Sequence, residues 1–321
     1  MNRRWLLSLP LATAALAAAP RLRAQPPRSV RLGILAPNAR HPGPPAIEQA
    51  LAELGYTKGG NLVIELRSAN DQTEAMAALA EDLVRLPVDV LVAVQSPAAL
   101  AARRASTTVP IVMAGIAIDP VAAGLVQSLA RPGGNVTGVA GLGADLAGKA
   151  MQFMRELLPA MKRMGAMLNA ADPFTPSLQA MLQQAARTLG IELRVASVRS
   201  SDEYAPVLAA WSAARVDAAF VQPSLPQGAF IKLADAQRLP SFSFGRAMVQ
   251  AGGLLSYAAS QRDIAQRVAY MVDRIVRGDK PAQMPVEQPA SFELSINLRS
   301  AKALGLAVPQ SLLLRATEVV E

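Results

Sequence analysis

Val88-Asp-Val-Leu-Val-Ala-Val-Gln-Ser-Pro97 and Val216-Asp-Ala-Ala-Phe-Val-Gln-Pro-Ser224 are two versions of one segment. Each opens on Val-Asp, runs through apolar residues and ends on Gln beside Ser and Pro. A Pro-led stretch follows each of them, Pro110-Ile-Val-Met-Ala-Gly115 and Pro240-Ser-Phe-Ser-Phe-Gly245. The offsets are 128 and 130 residues, so the two matches are nearly in register. A short unbroken apolar run between turn formers reads as a strand covered on both faces. Its recurrence at one spacing points to two similar α/β domains.

The same alternation of short apolar runs and helix-length amphipathic stretches extends from Val30 onward. Strands are expected at Val30–Leu35, Leu62–Leu66, Val88–Val94, Pro110–Ala114, Met164–Leu168, Leu193–Val198, Ala218–Val221, Pro240–Phe244 and Leu254–Tyr257. Helices are expected around Ala46–Leu54, Thr73–Leu86, Pro97–Arg104, Asp145–Leu158, Ser177–Leu189, Glu203–Ala214, Gln227–Gln237 and Gln261–Arg277. Thr73 and Ser201 suit helix starts, each followed by acidic residues. The methionines at 151, 154, 161, 164 and 167 fall at core positions. The fold class is therefore two doubly wound parallel-sheet α/β domains joined by a hinge of about three crossings. The crossings are placed at the Gly-rich run Arg131–Gly143, near Tyr257–Ser260, and in the Pro-rich segment Gly278–Pro289. This divides the chain into residues 30–138 plus about 258–285, and residues 139–257 plus about 286–321. Open parallel sheets bind ligands at the carboxyl ends of their strands, so two facing domains would share one cleft.

Composition narrows the chemistry. The 321 residues include no Cys and one His, His41. That excludes disulfides, thiolate nucleophiles, iron–sulfur clusters and multi-His metal sites, and no cofactor is expected. The formal charge of +8 suggests nucleic acid at first sight. Residues 1–24, MNRRWLLSLPLATAALAAAPRLRA, account for half of it, with four Arg and no acidic residue. Their Arg pair, interrupted apolar stretch and polar end have the layout of a secretory signal peptide, by a Sec or twin-arginine route, with cleavage expected after Ala24. The remainder carries 28 basic and 24 acidic residues, a net of +4, scattered without a stripe, so nucleic-acid binding is not expected. A mature chain without cysteine carries no bacterial lipid anchor, and a soluble periplasmic monomer is the expectation.

Several motifs have two readings. Gly143-Ala-Asp-Leu-Ala-Gly-Lys-Ala150 approaches a phosphate-binding P-loop but lacks the hydroxyl at Ala150 that would reach a magnesium ion. No G-x-G-x-x-G follows the first strand, which disfavours a nicotinamide dehydrogenase. His41, in the first strand-to-helix loop, is either a ligand contact or a surface histidine. Asp119–Pro120 presents a carboxylate to a ligand amine or forms an Asp-Pro turn. Ser96–Pro97–Ala98 is a helix start in which Ser96 serves as a cap, and the same geometry aims free N–H groups at the cleft, a place for a ligand carboxylate. Asn169, Ser224, Arg246 and Tyr257 stand at or just past strand ends in the second half, where Arg246 is either a carboxylate fork or a surface Arg.

The chain resembles the ABC-transporter substrate-binding protein family of tryptophan and other aromatic amino-acid type, with the periplasmic binding protein type I fold. The resemblance rests on Asp119-Pro-Val-Ala-Ala-Gly-Leu-Val126, Arg131-Pro-Gly-Gly-Asn-Val-Thr-Gly138, Pro285-Val-Glu-Gln-Pro289, Phe292-Glu-Leu-Ser-Ile-Asn-Leu298 and Ala301-Lys-Ala-Leu-Gly-Leu306. It implies capture of a small solute between hinged domains and delivery to a membrane permease with a cytoplasmic ATPase. The pocket positions it implies are Ser96, Pro97, Ala98, Asp119, Thr137, Asn169 and the loop Gln222–Ser224. Gln222–Pro223–Ser224 stands where many members carry an Asp- or Asn-containing loop, and Ala140–Gly141 where Ser-Asp is common. The competing functions are an exported α/β hydrolase working through His41, and a binding module that feeds a sensor.

Overall fold

The computed structural model describes residues 29–70, 72–140 and 144–321. The signal peptide of residues 1–24, Gly141 of the Ala140–Gly141 pair and the Gly143 end of the P-loop-like run lie outside the described residues. In chain order the first half holds β1 (Val30–Ala36), α1 (Gly43–Glu53), β2 (Leu62–Ser68), α2 (Met76–Arg85), β3 (Val90–Val94), α3 (Gln95–Ala105), β4 (Ile111–Ile116) and β5 (Val136–Ala140). The second holds α4 (Ala144–Leu157), β6 (Arg163–Asn169), α5 (Thr175–Leu189), β7 (Glu192–Val198), α6 (Tyr204–Ala213), β8 (Ala218–Val221), α7 (Gln227–Ala236), β9 (Ser241–Ser243), α8 (Ala247–Gln250) and β10 (Leu255–Ala259). The chain closes with α9 (Gln261–Val276), β11 (Phe292–Asn297), α10 (Leu298–Leu304), α11 (Gln310–Leu313) and β12 (Glu318–Val320).

Two sheets result. The first has the order β2-β1-β3-β4-β5, all parallel; the second has the order β12-β11-β10-β9-β8-β6-β7, parallel except for the β10–β11 pair. The order β7-β6-β8-β9-β10 repeats the first sheet, with β11 and β12 added at one edge. Alternate residues of the central strands enter opposite layers, which is why these strands read as unbroken apolar runs. Leu32, Ile34, Val90 and Val92 pack under α1 and α9, while Leu35, Leu91 and Ala93 pack under α2 and α3. In the second sheet Met167, Ala219 and Val221 meet Tyr204, Trp211 and Phe230 of α6 and α7, and Met164, Ala166 and Phe220 face α4 and α5. Met151, Met154, Met161, Met164 and Met167 are all buried.

The repeat holds at the level of single hydrogen bonds. Asp89 donates its N–H to the Arg31 carbonyl (2.8 Å) and accepts the Arg31 N–H on its carboxylate (2.8 Å). Asp217 makes the same exchange with Arg163, at 2.9 and 2.8 Å, and also accepts the Lys162 N–H. Each Asp thus ties the start of a central strand to its neighbour. Gly33 and Gly165 share the position two residues beyond those arginines.

Two differences from the sequence reading stand out. Val136–Ala140, expected as part of a crossing, is the fifth strand of the first sheet; its Pro-Gly-Gly-Asn lead and Gly138 mask a strand that exists by pairing with β4. β11 and β12 were not expected. β11 alternates polar and apolar residues and gains its place by antiparallel pairing with β10. α9, after β10, returns to the first sheet and packs on α1.

Where the chain passes between the sheets, one ionic cluster lashes the return segments together. Arg267 of α9 donates to Asp263 (2.9 Å) and to Glu287 (2.5 Å), and Asp263 also accepts the Ala290 N–H (2.8 Å). The Glu287 backbone bonds Gly138 and Ala140 of β5, and the Ser260 N–H reaches the Ser291 carbonyl. Among the described residues no helix is long and apolar enough to cross a membrane.

A Cβ on Gly165 would lie 2.7 Å from the ring of buried Trp211, so the β6–α6 contact requires a bare backbone there. Gly165→Ala is expected to lower stability by about 1–3 kcal/mol through forced displacement of the indole. Urea unfolding followed by circular dichroism should show a lower midpoint at an unchanged slope.

Candidate functional site

The carboxyl ends of both sets of strands meet in a two-part cleft. An inner cavity of about 100 Å³ is lined from the first sheet by His41, Gln95, Ser96, Pro97 and Gly115 and from the second by Asp172, Phe174, Gln222, Ser224 and Phe244. It continues into an outer chamber of about 500 Å³ bounded by Pro37–Pro42, Pro223–Gly228, Phe244–Ala247 and Glu293. His41, Gln95, Pro223 and Phe244 border both. Gly115 takes a left-handed φ of 69°, and a side chain there would press within 3.1 Å of Ile264 on α9, which borders the same cavity.

The wall from the second sheet is built round Asp172, three residues beyond β6 and only 6% exposed. Its carboxylate accepts from the Gln222 amide (2.7 Å), the Ser224 hydroxyl (2.7 Å) and the Phe174 N–H (2.9 Å), all uncharged donors. Gln222 is aimed at it because its own carbonyl oxygen is occupied by the Asn169 N–H and the Thr175 hydroxyl, both at 2.9 Å. The result is a buried carboxylate bonded by three neutral groups, with an acceptor position left over and its negative charge unbalanced among those partners.

The wall from the first sheet is donor-rich. Ser96 accepts the Ala117 and Ile118 N–H groups at 3.2 and 3.4 Å, which fills both lone pairs of its hydroxyl and leaves one O–H to donate. It therefore does not cap α3, as the sequence suggested; that helix begins one residue earlier, at Gln95, with a left-handed φ of 69°. For a non-glycine residue this conformation costs roughly 1–2 kcal/mol. His41 accepts the Gly43 N–H on Nδ1 (3.0 Å), so the neutral ring carries its proton on Nε2, which lies 3.4 Å from the Gln95 amide nitrogen. Burial pushes the His41 pKa down to about 4.

The expected site residues separate into three groups. Ser96, Pro97 and Ser224 line the inner cavity, and Arg246 borders the outer chamber, paired with Glu318. Asn169 lies beneath the site, its side chain reaching the Ser224 carbonyl and hydroxyl at 3.4 Å. The others stand elsewhere. Ala98 is core under α3. Asp119 lines neither chamber; its carboxylate accepts the Val121 and Ala122 N–H groups and shapes an exposed turn. Thr137 is fully buried and donates to the Met284 carbonyl, tying β5 to a return segment. Tyr257 sits between Phe153 and Phe292, with ring centroids 5.1 and 5.8 Å away, and burial raises its pKa. Sequence reasoning missed Asp172 and Gln95, and named Gln222 only within its loop.

With this fold and cleft in place, the class is defined: the chain belongs to the ABC transporter substrate-binding protein family, whose sequence profile matches residues 38–320. It is a solute-binding protein with the type I periplasmic binding protein fold. It is 25% identical over 265 residues to the tyrosine-binding protein of Clostridioides difficile (strain R20291), covering 80% of this chain and 75% of that one. Its structure is similar to a conserved domain protein from Vibrio cholerae (27% identity, TM-score 0.83) and to an ABC domain in complex with L-Trp from Streptococcus pneumoniae (27% identity, TM-score 0.82). Both cover 91% of this chain and 100% of their own.

The depressed His41 pKa has a stability consequence. Between about pH 6.5 and 4 the unfolded chain binds a proton at His41 and the folded chain does not, so this contribution shrinks as pH falls through that window. Thermal melts across pH 4–7 should show a decline that is shallower in His41→Gln.

Proposed function

We propose that the protein is the periplasmic receptor of an ABC importer and captures an α-amino acid, with aromatic side chains preferred. The observation that carries this is the polarity of the inner cavity. Asp172, buried among uncharged donors, faces a wall from the first sheet that offers the Ser96 hydroxyl and the N-terminal end of α3. A ligand with an ammonium at Asp172 and a carboxylate at α3 balances the buried charge and meets the positive end of the helix. The inner cavity suits that polar head, and the side chain extends past Phe244 and Pro223 into the outer chamber. The tyrosine-binding relative and the L-Trp complex support the aromatic preference. Asp172 thus takes the role that the sequence reading gave to Asp119.

The protein binds without turnover. His41 has the Gly43 N–H and the Gln95 amide as its polar partners, and neither is a nucleophile that a general base would activate. Export by the N-terminal signal, a monomeric mature chain and delivery to a permease with its ATPase complete this reading.

Thermal shift and calorimetry with L-tryptophan, L-tyrosine, L-phenylalanine and non-aromatic amino acids test it. Binding confined to the folded state stabilises it by about 2.7 kcal/mol at a hundredfold excess over Kd. Absence of any shift with the amino acids, or consumption of a ligand, would overturn the proposal. Asp172→Asn should weaken amino-acid binding by roughly 1.5–3 kcal/mol, the worth of a charged hydrogen bond, while Asp119→Ala should leave affinity unchanged.

A further inference from the structure

We propose that Gln95 is the residue that selects the ligand's carboxylate: its carboxamide is held by His41 so that the NH2 group faces the cleft, and the cleft then demands a hydrogen-bond acceptor on the side of β3. This rests on the amino-acid reading above and assigns one of its contacts to a residue of this chain.

The backbone supplies the first argument. Four non-glycine residues among those described have positive φ, namely Asn70, Gln95, Arg215 and Arg238. Arg215 and Arg238 lie just past the ends of α6 and α7, where a left-handed residue commonly terminates a helix. Asn is a residue type that tolerates the conformation. Neither reason applies to Gln95, which opens a helix and borders both chambers of the cleft. Backbone strain held at a ligand-facing position is a mark of function.

The second argument is hydrogen-bond logic. The oxygen and nitrogen of a carboxamide are told apart by their partners. His41 Nδ1 accepts from the Gly43 N–H, so Nε2 of the neutral ring is a donor; the Gln95 amide nitrogen lies 3.4 Å from it, a donor facing a donor, and a half-turn of the carboxamide that exchanges its nitrogen and oxygen turns this into a hydrogen bond. The NH2 group is then turned from the ring toward the cavity that both residues line. Burial keeps the ring neutral, which keeps this orientation. Ser96, with both lone pairs filled, is likewise restricted to donating. Two adjacent donors with no acceptor between them suit a carboxylate, and a ligand lacking one leaves them unpaired.

L-Tryptophan, tryptamine and indole-3-propionate separate the two charged groups of the ligand, measured by calorimetry on the wild type, Gln95→Gly and Gln95→Asn. In Gln95→Gly the affinities for tryptophan and indole-3-propionate should fall about tenfold or more while that for tryptamine holds, so the preference for tryptophan over tryptamine collapses. The unliganded variant should melt higher by roughly 2–4 °C as the strain is released. Gln95→Asn, which keeps the amide and tolerates the backbone, should restore part of the preference. A wild type that binds tryptophan and a Gln95→Gly variant that keeps the tryptophan-to-tryptamine ratio overturn the role of Gln95 and leave the amino-acid reading standing. A wild type that binds none of the three removes that reading and this one together.

Discussion

A carboxylate placed under protein and surrounded by uncharged donors is the constraint on which the cleft depends. Asp172 is bonded by Gln222, Ser224 and the Phe174 N–H, which holds it in place without neutralising its charge or filling its last acceptor position. Those donors are held in turn by groups behind them. Gln222 has no freedom to rotate its amide, because the Asn169 N–H and the Thr175 hydroxyl occupy the other end. The arrangement is an electrostatic demand built into the rigid end of a sheet, where the cost of reorganising is lowest.

The duplicated architecture turns that demand into a two-sided site. Each sheet ends its third strand beside the cleft, and each end carries a glutamine: Gln95 after β3 and Gln222 after β8. The two amides do opposite work. Gln222 points its NH2 at a carboxylate of its own half, whereas Gln95, in the orientation proposed above, meets a neutral imidazole with its oxygen and turns its NH2 toward the cleft. One strand-and-loop plan thus presents an acceptor wall from one half and a donor wall from the other.

Much of the fold was legible because parallel strands covered on both faces leave an unbroken apolar trace, as Val90–Val94 and Ala218–Val221 do. Strands that exist only by pairing left no such trace, which hid Val136–Ala140 behind glycines and Phe292–Asn297 behind polar alternation. The site was harder to read, and the two Asp-Pro pairs show why. Asp119–Pro120 and Asp172–Pro173 each follow a strand by three residues, and each Asp accepts N–H groups of its own turn. What separates them is Gln222 and Ser224, fifty or more residues away in sequence and adjacent in space. Ser96 was located by the helix-start pattern, but the backbone groups that use its lone pairs come from the β4 side of the sheet. Gln95 showed only as the glutamine that closes both copies of the repeated segment, since a left-handed φ at glutamine has no signature in the residue type.

The cluster of Asp263, Arg267 and Glu287 sits where the connecting segments run side by side, away from the cavity, and bonds them into one strap. In a receptor that closes on its solute, as proposed above, segments bonded in this way would bend together and couple the rotation of the halves. The affinity measured for a ligand is its intrinsic affinity scaled by the fraction of molecules already in the binding-competent arrangement. The stiffness of this ionic strap would therefore enter the recognition free energy alongside the cavity lining. Evolution can tune how tightly the receptor holds its cargo, and how readily it lets go, by changing three side chains that never touch it.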